Sequence, residues 1–218
     1  MFADVFERLR AQHGSQEGWW PSESAFEVMV GALLVQRTTW RNAAAAIERL
    51  KDRQYLAAGP LARIETEALS ALIRPAGFYR LKAARLKELA RFVVSAGGLD
   101  ALRARPTDAL REQLLELEGV GPETADAILG FAFERPVLVV DAYTRRLFTR
   151  LRHPSPAPSD AALKKEAEDA LGTAQTLNEF HALVIAHGQR CCSARPNCEP
   201  CCLKPVCGFE REWQSRLA

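Results

Sequence analysis

The sequence predicts an all-α protein. Three observations carry that prediction. Apolar residues recur at helical spacing along most of the chain, and capping residues stand ahead of those periodic runs. The best β-like run, Pro136–Val140, is only five residues long. Ser22 or Ser24 can cap an apolar helix running to about Gln36. An Ala-rich helix follows over Trp40–Lys51. Between Tyr79 and Ala96, Leu81, Leu86, Leu89, Phe92 and Val93 share a face, with Lys and Arg on the other. Thr107 can cap Asp108–Leu117. Pro122 stands where a first-turn proline belongs and Glu123 suits the positive end of the dipole, opening a helix to about Glu134. Asp141–Leu151, Ser159–Leu171 and Thr176–His187 complete the set. The proline- and serine-rich stretch His153–Asp160 reads as a linker or a surface loop.

Composition narrows the classes. With 218 residues, 48% of them hydrophobic and 26% charged, the chain has room for one large domain or two small ones. A net charge of +2 is compatible with a nucleic-acid partner without requiring one. The longest apolar stretch, Val28–Val35, is far short of a membrane span, and the N-terminal segment carries charges where a signal peptide would be apolar. A cytoplasmic, bacterial-type and nucleoid-associated protein is expected. All six cysteines lie between Cys191 and Cys207. A dense cluster of that kind reads as a metal site in a reducing compartment, not as a disulfide scaffold.

Three segments carry chemistry. In Leu114–Ala125 a helix ends at Gly119, the chain turns through Gly119-Val120-Gly121, and a new helix starts at Pro122. Glycines permit a sharp turn and close approach, and the free N–H groups at the new helix start suit an anion such as a DNA phosphate. Asp141 follows an apolar run and precedes a helix. It can serve as an N-cap, or face a cleft and stabilise a developing cation or activate water. Cys191, Cys198, Cys201 and Cys207 give the spacing C-x6-C-x2-C-x5-C. Four thiolates in one loop suit zinc or an iron–sulfur cluster, although a zinc ribbon normally has two C-x2-C knuckles and only one is present.

Leu117-Glu118-Gly119-Val120-Gly121, Val140-Asp141 and the cysteine spacing together resemble the helix-hairpin-helix DNA glycosylases of the endonuclease III superfamily. The resemblance implies a two-lobed fold: a six-helix barrel with the hairpin at 22–135, and an iron–sulfur domain built from 1–21 and 136–218. Duplex DNA with a damaged base would lie across the cleft between lobes and meet a monomer. The resemblance implies that Asp141 is the catalytic carboxylate. Cys191, Cys198, Cys201 and Cys207 would hold a [4Fe–4S] cluster, leaving Cys192 and Cys202 as extras. A monovalent cation would sit at the hairpin when DNA is bound. Gly119, Val120, Gly121, Arg145, Arg190 and Arg195 would meet the DNA. Gln36 would enter the gap left by the flipped base, with Phe78 or Tyr79 wedging the opposite strand.

Bifunctional members carry a lysine at the position of Glu123, and no lysine lies between Lys87 and Lys164. A carboxylate cannot form the imine that strand cleavage needs, so a monofunctional enzyme is expected, with lyase activity weak or absent. Trp19-Trp20-Pro21, Gln36-x-Thr38-x-Trp40 and the Glu123–Leu129 continuation look like the endonuclease-III-like 3-methyladenine DNA glycosylases, some of which lack the cysteines. Trp19, Trp20 and Trp40 would wall the base pocket, since aromatic faces attract a cationic base; core packing is their plainer role. Two other readings stand beside this one. One is a glycosylase and AP lyase for oxidised or mismatched pyrimidines; the other is a non-catalytic DNA-binding iron–sulfur protein.

Overall fold

A computed structural model describes residues 1–152 and 155–210. They form helices and, among the described residues, no strand. The helices are α1 (Phe2–His13), α2 (Ala25–Leu34), α3 (Trp40–Asp52), α4 (Ala58–Arg63), α5 (Thr66–Leu72), α6 (Tyr79–Ser95), α7 (Leu99–Arg103), α8 (Thr107–Leu115), α9 (Pro122–Ala127), α10 (Ala142–Leu151), α11 (Asp160–Leu171) and α12 (Ala174–Arg190). Two compact units result. One takes Met1–Trp19 with the described residues from Arg135 onward, and the other takes Trp20–Glu134.

In the second unit α2 is the central helix. Every residue from Phe26 to Leu34 is buried, and all are apolar except Glu27, whose carboxylate pairs with Lys51 at 2.9 Å. Ser24, rather than Ser22, caps it by accepting from the Glu27 amide at 3.2 Å. The helix stops at Leu34, two residues short of the expected end, because the carbonyls of Leu34 and Gln36 are taken by the Lys82 ammonium instead. Helix α6 packs against α2, α4 and α5. Pro106 caps α8, and Thr107 is its first residue rather than its cap. The helix predicted over 122–134 is α-helical only to Ala127. It then widens into a π-helical segment, Ile128–Ala132, and leaves the helical path at Glu134, where φ is 55°.

In the first unit α1 packs on α12 and α11. Its core joins Phe2, Phe148 and Phe180, with the Phe2 and Phe148 rings stacked 4.4 Å apart. The buried Glu179 carboxylate ties down the chain after α1, accepting from Ser15 Oγ at 2.8 Å and the Gln16 amide at 3.1 Å. The β-like run 136–140 is extended but pairs with no strand. Its Leu138 amide donates to Glu168 on α11 at 3.1 Å. Helix α12 starts two residues before the expected point, under a Thr173 cap, and runs on to Arg190.

Candidate active site and nucleic-acid interface

The hairpin joins α8 to α9 in the second unit. Gly119 has φ 81°, a conformation that favours glycine, and the Arg85 side chain occupies the space a Cβ would need. Gly121 differs. Its backbone is open to any residue, and a Cβ there would meet nothing within 4 Å. The protein's own packing therefore does not explain the second glycine. Val120 between them is buried and anchors the turn. Glu123 stands exposed in the first turn of α9. Arg111 on α8 pins α9 through the buried Asp126 carboxylate at 2.7 Å.

Gln36 lies beside this turn. Its amide nitrogen donates to the Gly119 carbonyl and to Thr124 Oγ1, both at 2.9 Å. The glutamine expected in a DNA gap is thus held by the hairpin. Phe78 is 60% exposed and has φ 46°. A large apolar side chain presented to solvent on a left-handed backbone combines two unfavourable features that packing does not require. Tyr79, half-buried, lies beneath the Arg74 guanidinium.

Trp20 and Trp40 meet edge to face with centroids 5.5 Å apart, and Phe131 joins Trp20 at 5.1 Å. Trp20 also packs on Gly31 of α2. The π-helical segment is what carries Phe131, an aromatic partner hidden from the sequence inside the apolar run Ile128–Phe133. Trp19 belongs to the first unit, where its ring stands edge-on to His181.

Asp141 caps α10 and is 7% exposed. Its Oδ1 accepts from the Thr144 amide at 2.8 Å and from Thr144 Oγ1 at 2.9 Å. Among the described residues Oδ2 accepts no hydrogen bond, so one oxygen alone fixes the carboxylate. His181 from α12 is buried next to it and bonds to the Val139 backbone. Burial pushes its imidazole well down, against the pull of the Asp141 charge, which keeps the ring neutral beside the carboxylate. In the sequence His181 is only a lone histidine in a helical run, with no local signal of this placement.

Cys191, Cys192, Cys198, Cys201 and Cys207 line one cavity, with apolar walls from Leu147, Leu151 and Leu203. Cys202 lies outside that lining, its amide donating to Gln12 Oε1 at 3.1 Å. Arg150 of α10 cradles the loop, donating to Cys192 Sγ at 3.2 Å and to the Ser193 carbonyl at 2.7 Å. His187 Nε2 approaches Cys201 Sγ at 3.5 Å, and its Nδ1 meets His13 Nε2 at 3.0 Å. Gly188 is required because the Tyr143 ring fills the place of its Cβ. Burial pushes the thiols up, Cys201 to about 12 and Cys202 to about 11, and neighbouring cysteines add to both. Several thiolates in one apolar cavity need a cationic centre to coexist. Among the described residues no three ligating side chains converge at single-ion distances. Four or more thiols lining one cavity are a donor set that fits an iron–sulfur cluster.

The candidate phosphate ligands differ in what they already hold. Arg145 makes a two-point pair with Asp160 at 2.9 and 2.6 Å, and both side chains are exposed. Exposed pairs of this kind exchange partners cheaply. Arg190 is exposed and reaches His13 Nδ1 at 3.4 Å. Arg195 is exposed on the loop between Cys192 and Cys198.

Known proteins match this arrangement along most of the chain. Residues 30–172 match the family described as HhH-GPD superfamily base excision DNA repair protein. A protein of Methanocaldococcus jannaschii named as a DNA repair glycosylase is 38% identical over 95% of this chain and 96% of its own length. Endonuclease III of Thermotoga maritima is 35% identical, over 85% of this chain and 84% of its own. Among solved structures, the H. pylori 3-methyladenine DNA glycosylase MagIII, bound to 1,N6-ethenoadenine, superimposes with a TM-score of 0.73 at 27% identity. That match covers 86% of this chain and 97% of the other. A trapped endonuclease III–DNA covalent intermediate gives a TM-score of 0.79 at 22% identity, over 98% of this chain and 99% of the other, a likeness of fold. Hairpin, aspartate and helical architecture thus coincide with matches spanning both units, and the chain belongs to the HhH-GPD superfamily of base excision DNA repair proteins, the DNA glycosylases of the endonuclease III group.

Proposed function

We propose that the protein is a monofunctional DNA N-glycosylase that hydrolyses the bond between deoxyribose C1′ and an alkylated purine of the 3-methyladenine type. The observation that carries this reading is the Asp141 carboxylate, buried, held through Oδ1 alone and left with a spare Oδ2. As the C1′–N bond breaks, the base leaves with the electron pair and positive charge grows on the sugar. Asp141 stabilises that charge, and Oδ2 takes the proton of the water that adds to C1′. Glu123 supports the monofunctional assignment, since an exposed carboxylate stands at the hairpin position where an amine would have to attack.

The aromatic group of Trp20, Trp40 and Phe131 supports a flat cationic base as substrate, as does the similarity to the H. pylori enzyme. A base carrying positive charge is already an activated leaving group and needs little acid catalysis. Gly121, Arg190 and Arg195 would take the DNA backbone, with Gln36 and Phe78 at the opened base pair. Cys191, Cys198, Cys201 and Cys207 would hold a [4Fe–4S] cluster. When bound, the cluster supplies a rigid crosslink for residues 191–207 and no step of base release.

The test is base release from duplexes carrying alkylated, oxidised or mismatched bases, assayed with and without alkali. Release of 3-methyladenine with strand breaks only after alkali is expected. Asp141→Asn should lower the rate about a thousandfold while DNA binding persists. Borohydride trapping of wild-type protein on an abasic site would overturn the monofunctional assignment. Release of thymine glycol without 3-methyladenine would overturn the substrate class.

A further inference from the structure

Lys82 is 3% exposed, yet among the described residues it makes no ion pair. It rises from the first turns of α6, and its ammonium donates to the carbonyls of Leu34, Gln36 and Ala76, each at 2.8 Å. Those three bonds use every donor an ammonium has. Burial works against the charge and the neighbouring Arg85 adds to that, so the group is costly to keep.

What it holds is informative. The chain leaves α2 at Leu34, and Arg37, directly after the Gln36 carbonyl, has φ 53°. On the other side the chain passes Ala76 and reaches Phe78, with φ 46°. Two left-handed non-glycine residues thus flank one buried ammonium. Gln36 also reaches the hairpin through Gly119 and Thr124, and Arg85, one turn along α6 from Lys82, lies under Gly119. Two turns that come from distant parts of the sequence meet at Lys82, and the hairpin joins them through Gln36 and Arg85.

We propose that Lys82 is a positioning residue for base extrusion: it fixes the turns of Gln36 and Phe78 relative to each other, so that the gap-filling amide and the aromatic wedge enter an opened duplex together. This rests on the reading of Gln36 and Phe78 as DNA contacts. A lysine that merely stabilised the second unit would affect the folded fraction and nothing else.

The experiment uses the full chain and a duplex with a tetrahydrofuran abasic analogue opposite 2-aminopurine, so the identity of the lesion does not enter. Lys82→Met is compared with wild type below its melting temperature, with far-UV circular dichroism reporting folding. Binding to undamaged duplex should stay within about threefold of wild type, while preference for the abasic duplex falls by about tenfold or more and most of the 2-aminopurine fluorescence gain disappears. Lys82→Gln, which keeps two donors, should recover part of both. A folded Lys82→Met with wild-type preference and fluorescence gain overturns the inference, as do losses that track only the folded fraction. Should Lys82→Met not fold, Lys82→Gln decides on the same signals: reduced gain in folded protein upholds the inference, full gain overturns it. Gln36→Ala and Phe78→Ala separate the two layers. If neither alters the fluorescence, the DNA-contact reading fails and this inference with it. If both do and Lys82→Met does not, only the role of Lys82 fails.

Discussion

His181 and Asp141 show what a single buried residue does to the behaviour of the protein with pH. Burial lowers the imidazole below its ordinary value of 6.5. The unfolded chain therefore takes up a proton that the folded chain resists, so stability is full above that value and is lost as pH falls. Between about pH 7 and 5 the melting temperature of wild type should fall more than that of His181→Leu, which cannot titrate. Equal slopes in the two proteins would refute this. Asp141 was legible in the sequence because Val140-Asp141 stands between an apolar run and a helix. His181, Lys82, Phe131 and Arg150 were not. A lysine on an amphipathic helix reads as solvated, and a phenylalanine in an apolar run reads as core. Only the fold reveals that Lys82 turns inward to meet three carbonyls.

At the scale of elements the hairpin makes a sharp contrast between its two glycines. Gly119→Ala meets the Arg85 side chain and an unfavourable φ, and should cost about 1–3 kcal/mol of stability in denaturant titration. Gly121→Ala meets neither, so its stability should match wild type while its affinity for duplex DNA falls. A Gly121→Ala protein with unchanged affinity would remove the hairpin from the interface. Long helices were legible from periodicity and caps, with ends displaced by a few residues. The early stop of α2 came from a distant ammonium, and no local signal encodes that. Helices α4, α5 and α7 have 5–7 residues, too few turns to show a period. The π-helical widening of α9 shifts register without altering composition, so the same apolar run predicts an ordinary helix.

For the whole molecule, the proposed cluster would crosslink the first unit and leave the second without a crosslink. Cys201 lines the cavity and Cys202 does not. Cys201→Ser should lose iron and visible absorbance and expose the first unit to protease, while Cys202→Ser keeps all three properties. Protection of residues 20–134 should be unchanged in either variant. Loss of iron from Cys202→Ser alone would reverse the assignment of the doublet. The all-helical architecture and the family were readable because their motifs are short and contiguous. The grouping of Trp20 with Phe131, and of Gln36 with the hairpin, depends on contacts between residues about a hundred positions apart and was not.

The discontinuous first unit has a consequence for how the protein is made. Phe2, Val5 and Leu9 of α1 are buried against Leu177, Phe180 and Leu203. On the ribosome α1 emerges first but has no core to join until α12 and the cysteine loop have been translated, whereas the second unit has its whole chain by Glu134. An amphipathic helix thus waits with its apolar face uncovered while the second unit and α12 are made. Nascent chains of this protein should therefore carry a folded second unit behind an unpartnered α1 until α12 has been made.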